Sequence, residues 1–316
     1  MQKRQSSAHI NPTAASPVRL CGLMLLALVG LARADSFGSG LDNSEWLLEA
    51  NPYFCQFYQP IPQYGLGVFF HEAGRELEFY LEASQNLMAP GHAALTVEAP
   101  PWRSSALTSE LGYIPVVDSR FPLWVEPDRA RRMMAELYRG MAPTFTRQAK
   151  SGSGPVRVRL SPVEFRDYYN DYLACATGLL PVNFSQIERT VVNYPSGGDL
   201  LSDTALRRLD NLITYVLADD RVLSLDVVGH SDNIGERFDN RRLSERRAYR
   251  VTDYLVNNGV DPTIIRTDYQ GDRYPIADNA TAEGRAANRR TTVLVRRLQD
   301  DPDDPLRLLP DLGRPR

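Results

Sequence analysis

The chain is poor in the side chains that most hydrolytic and redox chemistry requires. Its 316 residues include four histidines and three cysteines. His9 precedes an apolar run near the N-terminus, so His71, His92 and His230 are all that remain for a metal hydrolase, which needs several ligands at close spacing. His71-Glu72, followed by Glu76, lacks the second histidine four residues on that completes a helical zinc pair. No glycine-rich loop has the spacing that cradles a phosphate, and Gly197-Gly198 reads as a turn. His230-Ser231-Asp232 is badly arranged for a triad, because adjacent residues at a strand end point to opposite sides and cannot share a proton. The longest apolar run, Leu20 to Leu31, falls well short of the roughly 20 residues that cross a hydrocarbon core. These absences speak against a metal enzyme, a nucleotide enzyme and a membrane span, and no cofactor is implied.

The N-terminal residues 1–34 are also without a single acid. They carry Lys3, Arg4 and Arg19, then the apolar run, then Ala32-Arg33-Ala34, the small-x-small pattern of a signal peptidase site. This segment is expected to be a cleaved secretory signal, with Asp35 the first residue of the mature chain. A lipoprotein anchor on Cys21 is the competing reading, but the apolar run follows that cysteine, whereas a lipidated cysteine ends its run. Removing four basic residues and no acid takes the formal charge from −3 to −7. So acidic a chain is not expected to bind nucleic acid. Cys55 and Cys175 are then the remaining pair, and the oxidising setting of an exported protein favours a disulfide between them over two free thiols. Closing so long a loop stabilises by about 4 to 5 kcal/mol on chain-entropy grounds.

Beyond the signal the pattern divides. From Trp46 to about Val125 short alternating runs, Gly67 to Phe70, Leu77 to Leu81, Ala94 to Val97 and Tyr113 to Val117, lie between turn signals and predict antiparallel strands. Glu126-Pro127-Asp128 opens a helix that runs to Tyr138 before Gly140. Ser151 to Pro155 reads as a hairpin loop before a strand over 156–160. Ser161 is expected to cap a helix that ends near Cys175. After Leu180-Pro181, strands alternate with helices: a strand over 187–194, a helix from Ser202 or Asp203 to Ala218 with Leu206, Leu209, Ile213, Val216 and Leu217 on one stripe, a buried strand over 222–228, a helix over 241–257, a strand over 264–269, a short helix over 282–288 and a strand over 291–297. The fold class is therefore α+β: a β-rich region over 35–180, then an α/β sandwich over 181–298 with helices packed on a mixed βαβαβαβ sheet. Residues 299–316, rich in Asp and Pro, are expected to be disordered.

The charged motifs gather in this second region. Asp232 follows a strand end, Asn240 falls where the next helix is expected to begin and so to cap it, and Arg247 lies in that helix's second turn as the spacing predicts it. A carboxylate holds an ammonium and a guanidinium holds a carboxylate by paired N–H bonds, so the three together suit a small zwitterion. Equally, Asp232 and Arg247 could form an ordinary ion pair, with Arg241, Arg242, Arg246 and Arg250 a solvated helix face. On spacing alone the two readings stand level.

The motifs GHSDN from Gly229, Asn240-x-x-Leu243-Ser244-x-x-Arg247-Ala248, Gly271, Pro275 to Asn279 and GRAANRR ending at Arg290 follow one another in order. Over 187–297 this pattern resembles the OmpA-like peptidoglycan-binding domain. The resemblance implies that Asp232 and Arg247 bind the diaminopimelate of the peptide stem, with Asn240, Leu243, Ser244 and Arg289 in supporting positions. Ser231 stands where that family usually has Thr, which keeps the hydroxyl. Diaminopimelate ends in a centre bearing one ammonium and one carboxylate, the chemistry already reached from the residues. Binding it breaks no bond.

The whole arrangement of signal, β-rich region with two cysteines near its ends and OmpA-like region resembles the MotY-like flagellar motor proteins. The likeness is best at Asn51-Pro52-Tyr53-Phe54-Cys55 within 46–58 and at Tyr168-Tyr169-x-x-Tyr172-Leu-x-Cys175. It implies a periplasmic, non-enzymatic ring component around the basal body, held to the wall and helping stator units incorporate, with a MotX-like ring protein and the stator complex as partners. A generic envelope tether and a peptidoglycan-processing hydrolase are the alternatives.

Overall fold

Strand-forming residues dominate the first half, and what they build is two sheets with one core between them. The computed structural model describes residues 34–100, 108–152 and 154–298. The expected signal peptide and C-terminal tail lie outside the described residues. In chain order the first region contains β1 (Asp35–Phe37), β2 (Leu47–Asn51), β3 (Phe54–Ile61), β4 (Gly65–Glu72), β5 (Glu78–Ala83), β6 (Gly91–Glu98), β7 (Thr108–Val116), β8 (Leu123–Val125), α1 (Pro127–Tyr138), β9 (Ala142–Gln148), β10 (Pro155–Arg159) and α2 (Phe165–Gly178). One sheet has the order β1-β10-β9-β6-β7 and the other β2-β3-β4-β5-β8. Alternation along β3 turns Cys55, Phe57, Gln59 and Ile61 inward. There Phe57 and Phe69 meet Trp46, and Phe79 stacks on Phe145 of the other sheet with ring centres 5.6 Å apart. The outer face of the second sheet carries its own cluster of Val68, Phe70, Tyr80, Phe121 and Trp124, so β4 is covered on both sides.

Cys55 of β3 and Cys175 of α2 form a disulfide with their Cα atoms 6.0 Å apart. It fastens α2, whose Phe165 and Tyr172 are buried, over the edge of the aromatic core. Ser161 does not cap that helix. Its backbone N–H donates to Gln59 Oε1 at 2.7 Å, and its carbonyl accepts from Trp46 Nε1 and Gln59 Nε2, each at 3.1 Å. With Ser161 locked into the core, α2 starts only after Glu164, which takes a left-handed conformation (φ 60°) and makes no side-chain cap.

The second region contains α3 (Phe184–Ile187), β11 (Arg189–Asn193), α4 (Asp203–Ala218), β12 (Val222–Gly229), α5 (Arg237–Asn257), β13 (Ile265–Tyr269), α6 (Ala282–Asn288) and β14 (Arg290–Arg297). Its sheet has the order β11-β14-β12-β13, with β12 and β13 parallel and β14 antiparallel to both β12 and β11. Ile187 belongs to α3 and not to a strand, because Asn183 and Gln186 close a capping box around that turn. Ser202 caps α4 by accepting from Ala205 N–H at 3.3 Å. The stripe of α4 is Leu209, Leu212, Ile213, Tyr215 and Val216, while Leu217 is 56% exposed. β12 is buried on one face only, Leu223 on the other being 52% exposed. α5 begins at Arg237, one turn earlier than the spacing suggests, after a Glu236 that makes no side-chain cap.

The two cores meet at the turn between β2 and β3. The Tyr53 hydroxyl donates to Ala218 O at 2.6 Å, its ring lies 5.8 Å from Tyr215, and Arg221 sits over it at 5.5 Å. Leu180 N–H donates to Pro52 O, and Gln186 Nε2 to Gly74 O. A side chain at Gly74 would collide with Val182 Cα and Gln186 Oε1.

Candidate functional site

The site is built where β12 runs out beneath α5. A Cβ on Gly229 would lie 2.1 Å from Ser244 O, so the missing side chain lets the helix settle directly on the strand end. Beyond it, His230 N–H donates to Arg290 O at 2.8 Å and Ser231 N–H to Gly271 O at 2.9 Å, which fixes the path of the chain up to Asp232. Ser244, Arg247 and Ala248, spaced three and four apart, share the helix face that meets the sheet. All three are fully buried.

Arg247, about three turns into α5, is not a side chain at an open mouth. Its Nε donates to Gly198 O at 2.8 Å, Nη1 to His230 O at 2.9 Å and Nη2 to Pro195 O at 3.4 Å, and its guanidinium lies 4.7 Å from the centre of the Tyr194 ring. Burial pushes its pKa down to about 10, which leaves it charged at neutral pH. Three carbonyls and a ring face hold this cation, and no carboxylate touches it among the described residues.

Asp232 pairs instead with Arg289, Oδ2 to Nη1 at 3.0 Å, and its Oδ1 accepts from Ile234 N–H at 3.3 Å. The expected ion-pair alternative between Asp232 and Arg247 is thus absent. Arg289 Nε donates to Tyr194 O at 3.1 Å, so Tyr194 carries one arginine on its ring and the other on its carbonyl. Asn240 is not a cap, because α5 already begins three residues before it. It is a buried residue of the first turn, and its Nδ2 has no partner. Ser244 Oγ donates to Arg241 O at 2.7 Å and accepts from Gly271 N–H at 2.9 Å, while Leu243 is half-buried beside it. Asp232, Arg289 and Arg247 therefore converge around Tyr194, and Asn240, Leu243 and Ser244 form the adjoining face of α5.

Residues outside the predicted set complete the surroundings. Arg290 is buried and donates to Asn288 O and Tyr274 O, its pKa lowered by burial and by Arg189. Asn288 holds the loop before α6 by accepting from Ile276 and Ala277 N–H and donating to Ala277 O and Asn279 Oδ1. Both belong to the GRAANRR motif, so the signal was present in the sequence. Tyr194 and the carbonyls of Pro195 and Gly198 had no such signal. Asp232 is answered by Arg289, while Arg247 is held by carbonyls and the Tyr194 ring with no carboxylate in contact among the described residues, so the arginines leave positive charge for a carboxylate-bearing guest. Ser231 Oγ, Asn240 Nδ2 and His230 Nδ1 are buried without partners, which leaves polar capacity for a ligand. No hydrogen bond joins His230 to Ser231. Elsewhere, His71 is tied to Tyr172 Oη at 3.2 Å and Arg75 O at 3.1 Å, and Glu72 to Arg75, a structural use of the His-Glu pair. Among the described residues no group of three or more His, Cys, Asp or Glu could hold a metal ion, and no helix is long and apolar enough to cross a membrane.

Comparison with known proteins matches each of these two regions to its own family model. Residues 37–181 match the MotY N-terminal domain, and residues 193–289 match the OmpA family. The sodium-type flagellar protein MotY of Vibrio parahaemolyticus is 30% identical over 260 residues, covering 81% of this chain and 88% of that protein. The peptidoglycan-binding protein ArfA of Mycobacterium tuberculosis is 49% identical over 67 residues, 21% of each chain. Among solved structures, the C-terminal domain of Helicobacter pylori MotB aligns with 38% of this chain and 91% of its own at 22% identity and a TM-score of 0.32.

Proposed function

The chain belongs to the family of the sodium-type flagellar protein MotY, whose members are non-enzymatic structural proteins, and from that premise we propose that it is a periplasmic part of the flagellar motor anchored to the cell wall. In this reading residues 35–180 associate with the basal body and a MotX-like ring protein, and residues 181–298 grip peptidoglycan without covalent attachment. Held at both ends, the protein supports stator incorporation and resists torque.

The observation that carries the wall-binding part is the convergence of Asp232, Arg289 and Arg247 around Tyr194, within the segment that matches the OmpA family. The ligand's ammonium approaches Asp232, and its carboxylate is drawn by the arginines that outnumber that one acid. Arg247 acts from beneath, fixing the carbonyls of Pro195, Gly198 and His230 and adding positive potential, while Arg289, the more accessible of the two, meets the guest. Unpartnered Asn240 and Ser231 supply further polar contacts. Each charge-assisted hydrogen bond of this kind contributes about 1.5 to 3 kcal/mol when shielded from water.

Saturable pull-down by purified sacculi tests the site. Asp232→Ala and Arg247→Ala should each weaken binding at least about tenfold while circular dichroism shows a folded protein. Undiminished binding by both variants would overturn the assignment. Sacculi should release no muropeptides, and release would favour a hydrolase. Deleting the gene should abolish or cripple swimming, and normal torque would leave only a general envelope tether.

A further inference from the structure

Gly271 lines a groove of about 520 Å³ that the wall-binding constellation does not use. The first turn of α5 contributes Arg237 and Arg241 to its wall, and the loop after β13 contributes Gly271, Asp272 and Arg273, with Tyr269 among its lining. The three guanidiniums are exposed, and none forms an ion pair among the described residues. Arg241 has only the face of Tyr269, 5.4 Å from its ring centre. The groove's second acid, Asp268, is already engaged, accepting from Tyr269 N–H at 2.7 Å and Gln270 Nε2 at 2.6 Å. Three arginines without an ion pair thus face two acids, Asp268 and Asp272, which leaves the groove net positive. An aromatic face with several free guanidiniums is the surround that planar carboxylates favour.

Gly271 also ties this groove to the site already described. Its carbonyl accepts from Ser231 N–H, and its N–H donates to Ser244 Oγ, while a Cβ added at this left-handed position would meet the backbone of Arg241 at 3.4 Å. Ser231 and Asp232 are adjacent in the chain, so the two places lie on the order of 10 Å apart, within reach of neighbouring residues of one extended peptide.

We propose that this groove is a second subsite that takes a free carboxylate of the same acidic peptide stem, on the residue next to the one gripped at Asp232. The inference rests on the wall-binding reading above and deepens it. Affinity then depends on two carboxylates of the stem. The outer contact is exposed, so its share falls as salt rises.

The test compares three soluble probes on the full mature chain by calorimetric titration: free diaminopimelate, the tripeptide L-alanyl-γ-D-glutamyl-diaminopimelate, and the same tripeptide with its glutamyl carboxyl amidated. The wild type should bind the acidic tripeptide about fivefold more tightly than the amidated one, the gain expected of an exposed charge pair. Arg241→Gln with Arg273→Gln should erase that difference and leave free diaminopimelate binding unchanged. Equal binding of both tripeptides by the wild type, with diaminopimelate still bound, overturns the subsite and spares the wall-binding reading. Loss of diaminopimelate binding in the double variant also overturns it. Peptide-free glycan chains that bind the wild type and not the double variant would assign the groove to sugar instead. No binding of diaminopimelate by the wild type would remove both proposals together.

Discussion

The core under the two five-stranded sheets is made of rings, while the core under the four-stranded sheet is threaded with charge. Trp46, Phe57, Phe69, Phe79, Phe145 and Phe165 fill the first, and its buried polar side chains, Ser39, Ser44, Gln59, Thr144 and Ser161, are all neutral. The second buries Asp219, Asp232, Arg247 and Arg290 along with Asn240 and Asn288. Aromatic packing needs no partner beyond shape, whereas each buried ion must find a counter-charge or several carbonyls. Apolar residues of equal volume would hold the second core at least as well. Its polar content is therefore poor evidence of a stability role and fits a surface prepared for a guest. The first region is built to persist, and the second spends stability at its mouth to keep a binding chemistry in place.

The largest test of this contrast is the disulfide. Replacing Cys55 and Cys175 by Ser should lower the stability of the first region by about 4 to 5 kcal/mol, since the bridge spans 120 residues and sits where α2 closes the aromatic core. Thermal unfolding should show the loss, and sacculus binding by the second region should persist below the transition. Wall binding lost in step with the bridge would mean that the two regions do not differ in the way described.

Much of this contrast could be read before any coordinates, and the exceptions have physical causes. The helix over 282–288 matches α6 residue for residue, since Thr281 caps it through Gly284 N–H and Arg289 follows its end. The first strand region was legible because alternation against one buried face leaves a period of two. By contrast, the start of α5 was hidden, because Glu236 offers no side-chain cap to mark it. Ser161 looked like a cap, but Gln59 and Trp46 take its backbone across more than a hundred residues. The arginines of α5 show the same limit at the site. Arg241, Arg242, Arg246 and Arg250 are the solvated face that spacing allows, and Arg247 is the exception, buried because Gly229 lets α5 touch the sheet there. That Asp232 meets Arg289 and not Arg247 depends on β14 lying beside β12, a fact of topology and not of sequence distance.

Acid should separate the regions by a smaller amount. His230 is buried beside Arg290, and burial first, then that guanidinium, brings its pKa down to about 4 from the ordinary 6.5. Its folded form therefore stays neutral where the unfolded chain already takes a proton. The stability it contributes is complete above pH 6.5, falls as pH drops from 6.5 toward 4, and changes little below that. The loss amounts to at most about 3 kcal/mol across this window. Denaturant titrations at pH 7 and pH 4.5 should show it in the second region, and His230→Asn should flatten the slope. An unchanged slope in that variant would assign the acid sensitivity to other groups.

The smallest effect is expected where the two regions touch. Tyr53 precedes Cys55 by two residues, so the turn that the disulfide steadies is the turn that reaches across to the end of α4. Its ring rests on Tyr215 and under Arg221, whose guanidinium also holds Asp219 at 2.8 Å. Burial works against the charge on Asp219, and hydrogen bonds from Arg221 and Tyr215 outweigh it, bringing the carboxyl down to about 2. The platform is thus fixed from within the second region, and Tyr53 adds one hydroxyl bond and one ring face. Tyr53→Phe should cost about 1 kcal/mol, the worth of one neutral hydrogen bond, while Tyr53→Ala removes the ring as well and costs more. If the regions are joined through this contact, Tyr53→Ala should split one calorimetric transition into two and speed amide exchange at 218–222. Should the transition keep its shape and exchange stay slow, Pro52, Leu180 and the Gly74–Gln186 contact would be sufficient to couple the aromatic core to the charged one.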